Sequence, residues 1–139
     1  MKRRTHLKRQ AYRQSTMGAV LAMGGVGILR GDPLRYAWSF RRNQLKRHAR
    51  QGFYKGLSYF VGGQGKPVVF VHGFSDHAGS WADTVAMLSE QCRVIAIELP
   101  GHGDSIDPLS DDFETLYEGF EALLDLLVPK HEKAILIGN

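Results

Sequence analysis

The residues best suited to chemistry follow a short apolar run. Residues 68–71 (VVFV) are apolar and β-prone, which predicts a buried strand, and His72, Gly73 and Phe74 come directly after it. A turn that contains glycine lets the main chain approach a bound group, so that an N–H can face an oxygen that becomes negative during acyl transfer. The Phe74 N–H is the candidate donor, and His72 and Gly73 would shape the turn. A His-Gly pair by itself would indicate only the end of a strand.

Glycine-containing turns also follow other apolar runs. The run 94–97 precedes residues 100–105 (PGHGDS), and the run 134–137 precedes residues 138–139 (GN). The carboxyl ends of parallel strands meet at one edge of a sheet, and ligands of open α/β sheets bind there, so we expect these turns to meet. The PGHGDS turn would supply a loop at that edge, formed by Gly101, His102 and Gly103.

Taken in order, these motifs resemble the first half of the α/β-hydrolase family over residues 53–139. Within the family, residues 72–77 (HGFSDH) after a basic leader look most like the monoacylglycerol lipase and carboxylesterase branch. The resemblance implies hydrolysis of carboxylic esters or lipids by a serine nucleophile, without a cofactor or a metal. It also implies that the Phe74 amide belongs to the oxyanion hole. Epoxide, halide and carbon–carbon bond hydrolases share this front half and stay open as alternatives.

The resemblance places no catalytic residue within the sequence. Family members carry Ser, then the acid, then His, with the serine in a Gly-x-Ser-x-Gly turn after a strand. Gly138 and Asn139 would open that turn, so the nucleophile is expected just after Asn139, and the chain by itself is predicted to be inactive. His72 and His102 would organise loops, because the family takes its general base from after the last strand.

Other polar residues near these turns are given structural roles. Glu98 stands where the family usually has Asp, and Asp76, Asp104 and Asp107 are interpreted as solvated turn residues. Cys92 is the only cysteine, and its place at the start of an apolar run favours a buried thiol over a nucleophile.

The elements that must position these residues alternate between strands and helices. This alternation predicts the α/β class, with a mostly parallel, incomplete α/β-hydrolase sheet that is preceded by a hairpin. The hairpin is expected to pair residues 57–61 with residues 67–71 around a glycine turn. The other predicted elements are a helix over about 79–90, a strand over 94–97, a helix capped by Asp111 and stopped by Pro129, and a strand over 134–137.

The charge divides the chain into two unlike parts. Residues 1–50 hold thirteen Lys and Arg against one acid, Asp32, whereas the remainder holds five against thirteen Asp and Glu. We therefore predict a basic leader over residues 1–52, with a helical extension, and a hydrolase half-domain over residues 53–139. Residues 17–29 are uncharged but too short to cross a bilayer, which takes about 20 residues. They resemble the apolar region of a signal peptide, but no cleavage site with small residues follows, so an uncleaved membrane-associated anchor is expected, with a cytoplasmic or exported protein as the alternatives.

A basic amphipathic helix is predicted from Asp32 and Pro33 onward, with Trp38 and Leu45 on its apolar side. Such a helix can lie in a membrane interface, or it can be a solvated helix packed on the body. RNA binding ranks third, and no nucleic-acid partner is expected, because no known module spacing is present.

Two hypotheses from different classes remain for the whole chain. It is either part of an ester or lipid hydrolase, or a noncatalytic half domain that binds a membrane or a partner. In both cases the strand over 134–137 would be an open hydrophobic edge, so residues 53–139 in isolation are predicted to be poorly stable and prone to aggregation.

Overall fold

A computed structural model describes residues 33–107 and 113–139 of the chain. The predicted apolar segment 17–29 and the predicted caps Asp32 and Asp111 lie outside the described residues. The described elements, in chain order, are helix α1 (Pro33–Leu45), strand β1 (Arg50–Tyr54), strand β2 (Leu57–Gly62), strand β3 (Pro67–Val71), a 3₁₀ helix (Ala78–Trp81), helix α2 (Ala82–Leu88), strand β4 (Arg93–Ile97), helix α3 (Phe113–Leu127) and strand β5 (Ile135–Gly138).

The strands of the described residues form one mixed sheet in the order β1-β2-β4-β3-β5. Strand β3 is parallel to both β4 and β5, whereas β2 is antiparallel to both β1 and β4. The predicted α/β class is confirmed. The predicted pairing of residues 57–61 with residues 67–71 is wrong, because β4 lies between these strands and takes a pairing edge of each.

The hairpin of the sheet is formed by β1 and β2 instead. Lys55 and Gly56 connect these strands, and both have positive φ angles, of 47° and 83°. Positive φ at both central residues is the geometry of a type I′ turn, whose twist matches that of the flanking strands. Sequence analysis missed β1 because its sequence, RQGFY, contains no apolar run.

Helices cover both faces of the sheet. On one face, α1 and α2 pack against Phe60, Phe70 and Val94. On the other face, Leu123 of α3 packs against Val69 and Ile95. Neighbouring residues of β3 and β4 therefore point alternately into these two cores, and both strands are buried almost throughout.

Helix α1 belongs to the same compact unit as the sheet. The contacts divide the chain after Asp32, so the unit runs from Pro33 to Asn139 and begins earlier than the boundary predicted at residue 53. The reason is packing: Leu45 at the end of α1 is fully buried in the core that includes Phe60 and Phe70. Helix α1 is packed on the body through Leu45, whereas its binding to a membrane interface stays a prediction. Within the described residues no helix has both the length and the apolarity needed to cross a bilayer.

Candidate active-site edge

His72 links the end of β3 to the segment that follows β4. Its ring is 2% exposed, its Nδ1 lies 2.8 Å from the Gly73 carbonyl oxygen, and the Leu99 N–H donates to its Nε2 at 3.0 Å. Because Nε2 accepts, the ring proton resides on Nδ1, which donates to Gly73. Burial lowers the pKa of His72 and outweighs the hydrogen bond to the Gly73 carbonyl, which raises it. The ring therefore joins the turn after β3 to the segment after β4.

The residues after His72 form a turn beside the end of β5. The Asp76 N–H donates to the Gly73 carbonyl at 3.1 Å, and Phe74 lies within this turn, beyond the last paired residue of β3. A Cβ placed on Gly73 would lie 3.2 Å from the Asn139 carbonyl oxygen. The structure therefore brings the predicted oxyanion turn against the residue after which the nucleophile is expected. The role of the Phe74 amide itself stays a prediction.

The loop after β4 folds back over the side chain of Glu98, which is fully buried. Gly103 has a φ of 53°, and a Cβ placed on it would lie 2.1 Å from the carboxyl carbon of Glu98. The Asp104 N–H donates to Glu98 Oε2 at 2.9 Å, and the Ser105 hydroxyl donates to the Glu98 carbonyl at 2.6 Å. Glycine is therefore required at position 103 both by backbone conformation and by space. This loop includes Gly101, His102 and Gly103, the residues predicted for it.

His102 connects this loop to the oxyanion turn. Both of its ring nitrogens face carbonyl oxygens, Nε2 that of Phe74 and Nδ1 that of Pro100 at 3.0 Å. The rings of His72 and His102 are neighbours, with centroids 4.9 Å apart. His102 thus connects one turn to the other, and the organising role predicted for it stays a prediction.

An ion-pair cluster beneath the loop was missed by the sequence analysis. Arg42 of α1 contacts Glu98 Oε1 through Nε at 3.0 Å, and its guanidinium also donates to both carboxylate oxygens of Asp104. Asp104 is therefore not the solvated turn residue that was predicted, because it is held by Arg42 and by the Gln51 side-chain amide, which donates at 2.9 Å. The Arg42 hydrogen bond is the largest cause that lowers the pKa of Asp104. The local sequence carried no signal for this cluster, since Arg42 is one of many cations in the first 50 residues.

Asp76 also differs from the solvated turn residue that was predicted. Its carboxylate accepts hydrogen bonds from the Ser80 hydroxyl and from the His77 N–H, the latter at 2.9 Å. Burial raises the pKa of Asp76, but the hydrogen bonds from Ser80, His77 and Asn139 outweigh this effect and lower the pKa overall. Asp76 therefore ties the oxyanion turn to the 3₁₀ helix that follows it.

The opposite end of the sheet carries different features. A depression of about 620 Å³ is lined by Gly63, Lys66 and Arg93, among others, at the amino ends of β3 and β4, and it is therefore separate from the turns described above. Among residues 33–107 and 113–139, no three His, Cys, Asp or Glu side chains converge as metal ligands would.

Comparison with known proteins identifies the family. Residues 68–139, which include β3, the two turns and β5, match the model of the Alpha/beta hydrolase family. The chain belongs to this α/β-hydrolase family. The fold agrees with this family assignment, since each of the three family motifs lies at the carboxyl end of a strand.

Similar proteins differ in their activities. The chain is 44% identical over 69 residues to the dihydrolipoyllysine-residue acetyltransferase component of the acetoin cleaving system of Pseudomonas putida. That match covers 48% of this chain and 19% of that protein. It is also 44% identical over 50 residues to the pimeloyl-[acyl-carrier protein] methyl ester esterase of Methylococcus capsulatus, a match that covers 36% of this chain and 20% of that protein. The chain thus spans about a fifth of the length of these curated relatives.

A solved structure extends the similarity to most of the chain. The crystal structure of a bacterial membrane phospholipase A superposes with a TM-score of 0.60 and 26% sequence identity. The match covers 95% of this chain and 44% of the phospholipase chain. The similarity therefore reaches N-terminal residues outside the 68–139 family match.

Proposed function

We propose that this α/β-hydrolase chain forms the oxyanion side of the active site of an enzyme that hydrolyses carboxylic esters or lipids. The observation that supports the proposal is the closeness of Gly73 to Asn139, because the turn that contains Phe74 then lies beside the strand end at which the family carries its nucleophile. In this mechanism the Phe74 N–H would donate to the oxygen that becomes negative as a serine attacks the ester carbonyl. The serine, its general base and the acid would follow Asn139 in a longer polypeptide.

The proposed substrate class rests on the relatives and on the chemistry of the turn. One relative is a methyl ester esterase, and the structural neighbour that matches 95% of the chain is a membrane phospholipase A. Phe74 is 79% exposed, so an apolar ring stands beside the proposed donor, where it could contact an acyl chain. Carboxylic esters with an apolar acyl group suit these features better than small charged substrates do.

A matched pair of variants at Phe74 tests the oxyanion role. Phe74 is the second residue of the turn that begins at Gly73, a position at which turns accept proline, so Phe74→Pro removes the N–H. In a polypeptide that continues past Asn139 through the nucleophile, we expect Phe74→Pro to lower kcat for a p-nitrophenyl ester by about 10²–10³-fold. Phe74→Ala keeps the N–H, and its kcat should stay within a few-fold of the wild type.

Covalent labelling of the nucleophile gives a second test, which does not depend on turnover. A fluorophosphonate probe should label a serine beyond Asn139 in the longer polypeptide and should leave the 139-residue chain unlabelled. Equal kcat for Phe74→Pro and Phe74→Ala would remove the oxyanion role. Absence of both labelling and ester hydrolysis would instead favour the noncatalytic half domain that binds a membrane or a partner.

Membrane association through the leader is a separate part of the proposal. Residues 1–32 hold seven Lys and Arg against one acid, a charge that suits anionic lipid headgroups. A fluorescent reporter fused to residues 1–32 should sediment with vesicles that contain anionic phospholipid at low salt, and less with neutral vesicles. A reporter that stays wholly soluble with both vesicle types at low salt would rule this out.

A further inference from the structure

We propose that Arg42 of α1 is a positioning residue that holds the loop after β4, and through that loop the oxyanion turn, in its working geometry. The proposed function supplies only the catalytic consequence of this inference. The positioning itself concerns contacts among residues 42, 98–105 and 72–76, and it can be measured without any substrate.

Arg42 is attached to the loop after β4 by two carboxylates. The side chain of Arg42 is 16% exposed and reaches Glu98 at the end of β4 and Asp104 six residues later, so it contacts the loop at both ends. Asp104 in turn donates its N–H to the Glu98 carboxylate. A planar guanidinium can serve both carboxylates at once, which a lysine ammonium on the same backbone would do poorly.

The loop after β4 is in turn bonded to the oxyanion turn. His102 lies between Glu98 and Asp104 in the chain, and its Nε2 faces the Phe74 carbonyl oxygen. The Leu99 N–H, next to Glu98, donates to His72 Nε2. The loop held by Arg42 therefore contacts the Phe74 carbonyl oxygen through His102 and the His72 ring through the Leu99 N–H. A shift of the loop would move the turn whose N–H is the proposed donor.

Helix α1 also touches the segment that follows the turn, so its position relative to both loops is defined. The rings of Trp38 and His77 are in edge contact, with centroids 5.3 Å apart. A Cβ on Gly79 would lie 3.0 Å from the Arg42 backbone nitrogen, so the 3₁₀ helix lies close against the α1 backbone. The Arg42 side chain thus extends from a backbone that is already packed beside the candidate site.

A double variant separates positioning from the burial of an unpaired charge. Arg42→Met leaves Glu98 buried without its cation, which destabilises the fold as well as freeing the loop. Adding Glu98→Gln removes that charge but keeps an acceptor for the Asp104 N–H. Arg41→Met is the matched control, because Arg41 is on the same helix and contacts the exposed Asp83 and the Ser80 carbonyl, not the loop after β4.

The experiment is amide hydrogen exchange on the full chain, with residues 94–97 of the sheet as an internal reference for global stability. We expect exchange in segments 98–105 and 73–76 to rise at least about tenfold in R42M and to stay raised in R42M/E98Q, in which the reference strand returns to the wild-type rate. R41M should leave all three segments unchanged. If R42M/E98Q restores both loop segments along with the reference, Arg42 only compensates a buried charge and the proposal is overturned.

Enzyme kinetics then test the catalytic consequence in the longer polypeptide. A displaced oxyanion donor weakens the transition state more than the bound substrate, so R42M/E98Q should lower kcat at least tenfold with KM within about threefold of the wild type. Raised exchange with unchanged kcat would overturn the link between loop position and catalysis. Absence of ester hydrolysis in the wild type would count against the proposed function, and the exchange result alone would then decide the positioning role.

Discussion

At the scale of single residues, sequence analysis found the residues that follow the ends of strands and missed the ion pairs that fix the loops after them. His72 and Gly73 were predictable because a histidine and a glycine follow a run of apolar residues directly. The pairing of Arg42 with Glu98 spans 56 residues of sequence, and nothing near either residue indicates its partner. Glu98 was noted only as a departure from the family's usual Asp. Long-range polar pairing depends on the sheet order, which the local pattern does not contain.

Two glycines provide a matched prediction at this scale. Gly103→Ala should destabilise the chain by about 1–3 kcal/mol, because the residue has positive φ and its new methyl would overlap the Glu98 carboxylate. Gly119→Ala in α3 should stabilise it by up to about 1 kcal/mol, since the nearest atom to a new Cβ is 4.0 Å away and alanine favours helix. Urea unfolding of both variants measures the difference. A neutral effect at position 103 would mean that the loop does not close over Glu98.

The lowered pKa of His72 predicts how stability depends on pH. The unfolded chain protonates this ring with a pKa of about 6.5, whereas the folded chain does so only at lower pH because the ring is buried. Its contribution to stability is therefore complete above pH 6.5 and is lost as the pH falls through the folded pKa, at no more than about 1.4 kcal/mol per pH unit.

Variants of two histidines test this contribution. His72→Gln retains an acceptor for the Leu99 N–H but has no titrating ring, so its unfolding free energy should fall less steeply between pH 6.5 and 5 than that of the wild type. His131→Gln is the matched control, because His131 is 84% exposed and the same substitution there leaves the buried His72 ring in place. Equal slopes in the wild type and His72→Gln would contradict the prediction.

At the scale of elements, apolar runs predicted strands β2 to β5 to within about two residues, but not how they pair. The bounds follow from runs of apolar residues, which are local information, whereas the position of β4 between β2 and β3 is a property of the whole sheet. Helix α1 was predicted with its charged and apolar sides, and the sequence left open whether those apolar residues meet lipid or protein. Leu45 in the core decides for protein at that position.

Deleting whole segments tests where the folded unit begins. A chain of residues 33–139 should keep the cooperative unfolding of the full chain, because the compact unit starts at Pro33. A chain of residues 53–139 should lose it, since Leu45 and Ala49 leave the core and part of β1 is removed. Leu45→Ala in the full chain is the matched point variant and should cost about 2–5 kcal/mol. Equal thermal transitions for the two truncated chains would restore the boundary at residue 53.

At the scale of the whole molecule, the revised boundary changes the charge of the folded unit. Residues 33–139 hold eleven Lys and Arg against thirteen Asp and Glu, a net charge of −2, whereas a unit that began at residue 51 would have a charge of −8. The folded unit is therefore close to neutral, and the basic excess is concentrated in residues 1–32. Little net repulsion then opposes contact between copies of the folded unit.

Strand β5 is where such contact is expected. It lies at the edge of the described sheet, pairs with β3 on one side, and carries Leu136 with 62% of its surface exposed. An apolar edge strand is a template for pairing with another strand, and a lysine on it opposes such pairing. In the 139-residue chain we therefore expect Leu136→Lys to shift sedimentation from oligomers toward monomer. Met87→Lys on α2 adds the same charge at an exposed position away from the edge and should leave the distribution unchanged. If both variants reduce association equally, net charge governs the assembly rather than the open strand.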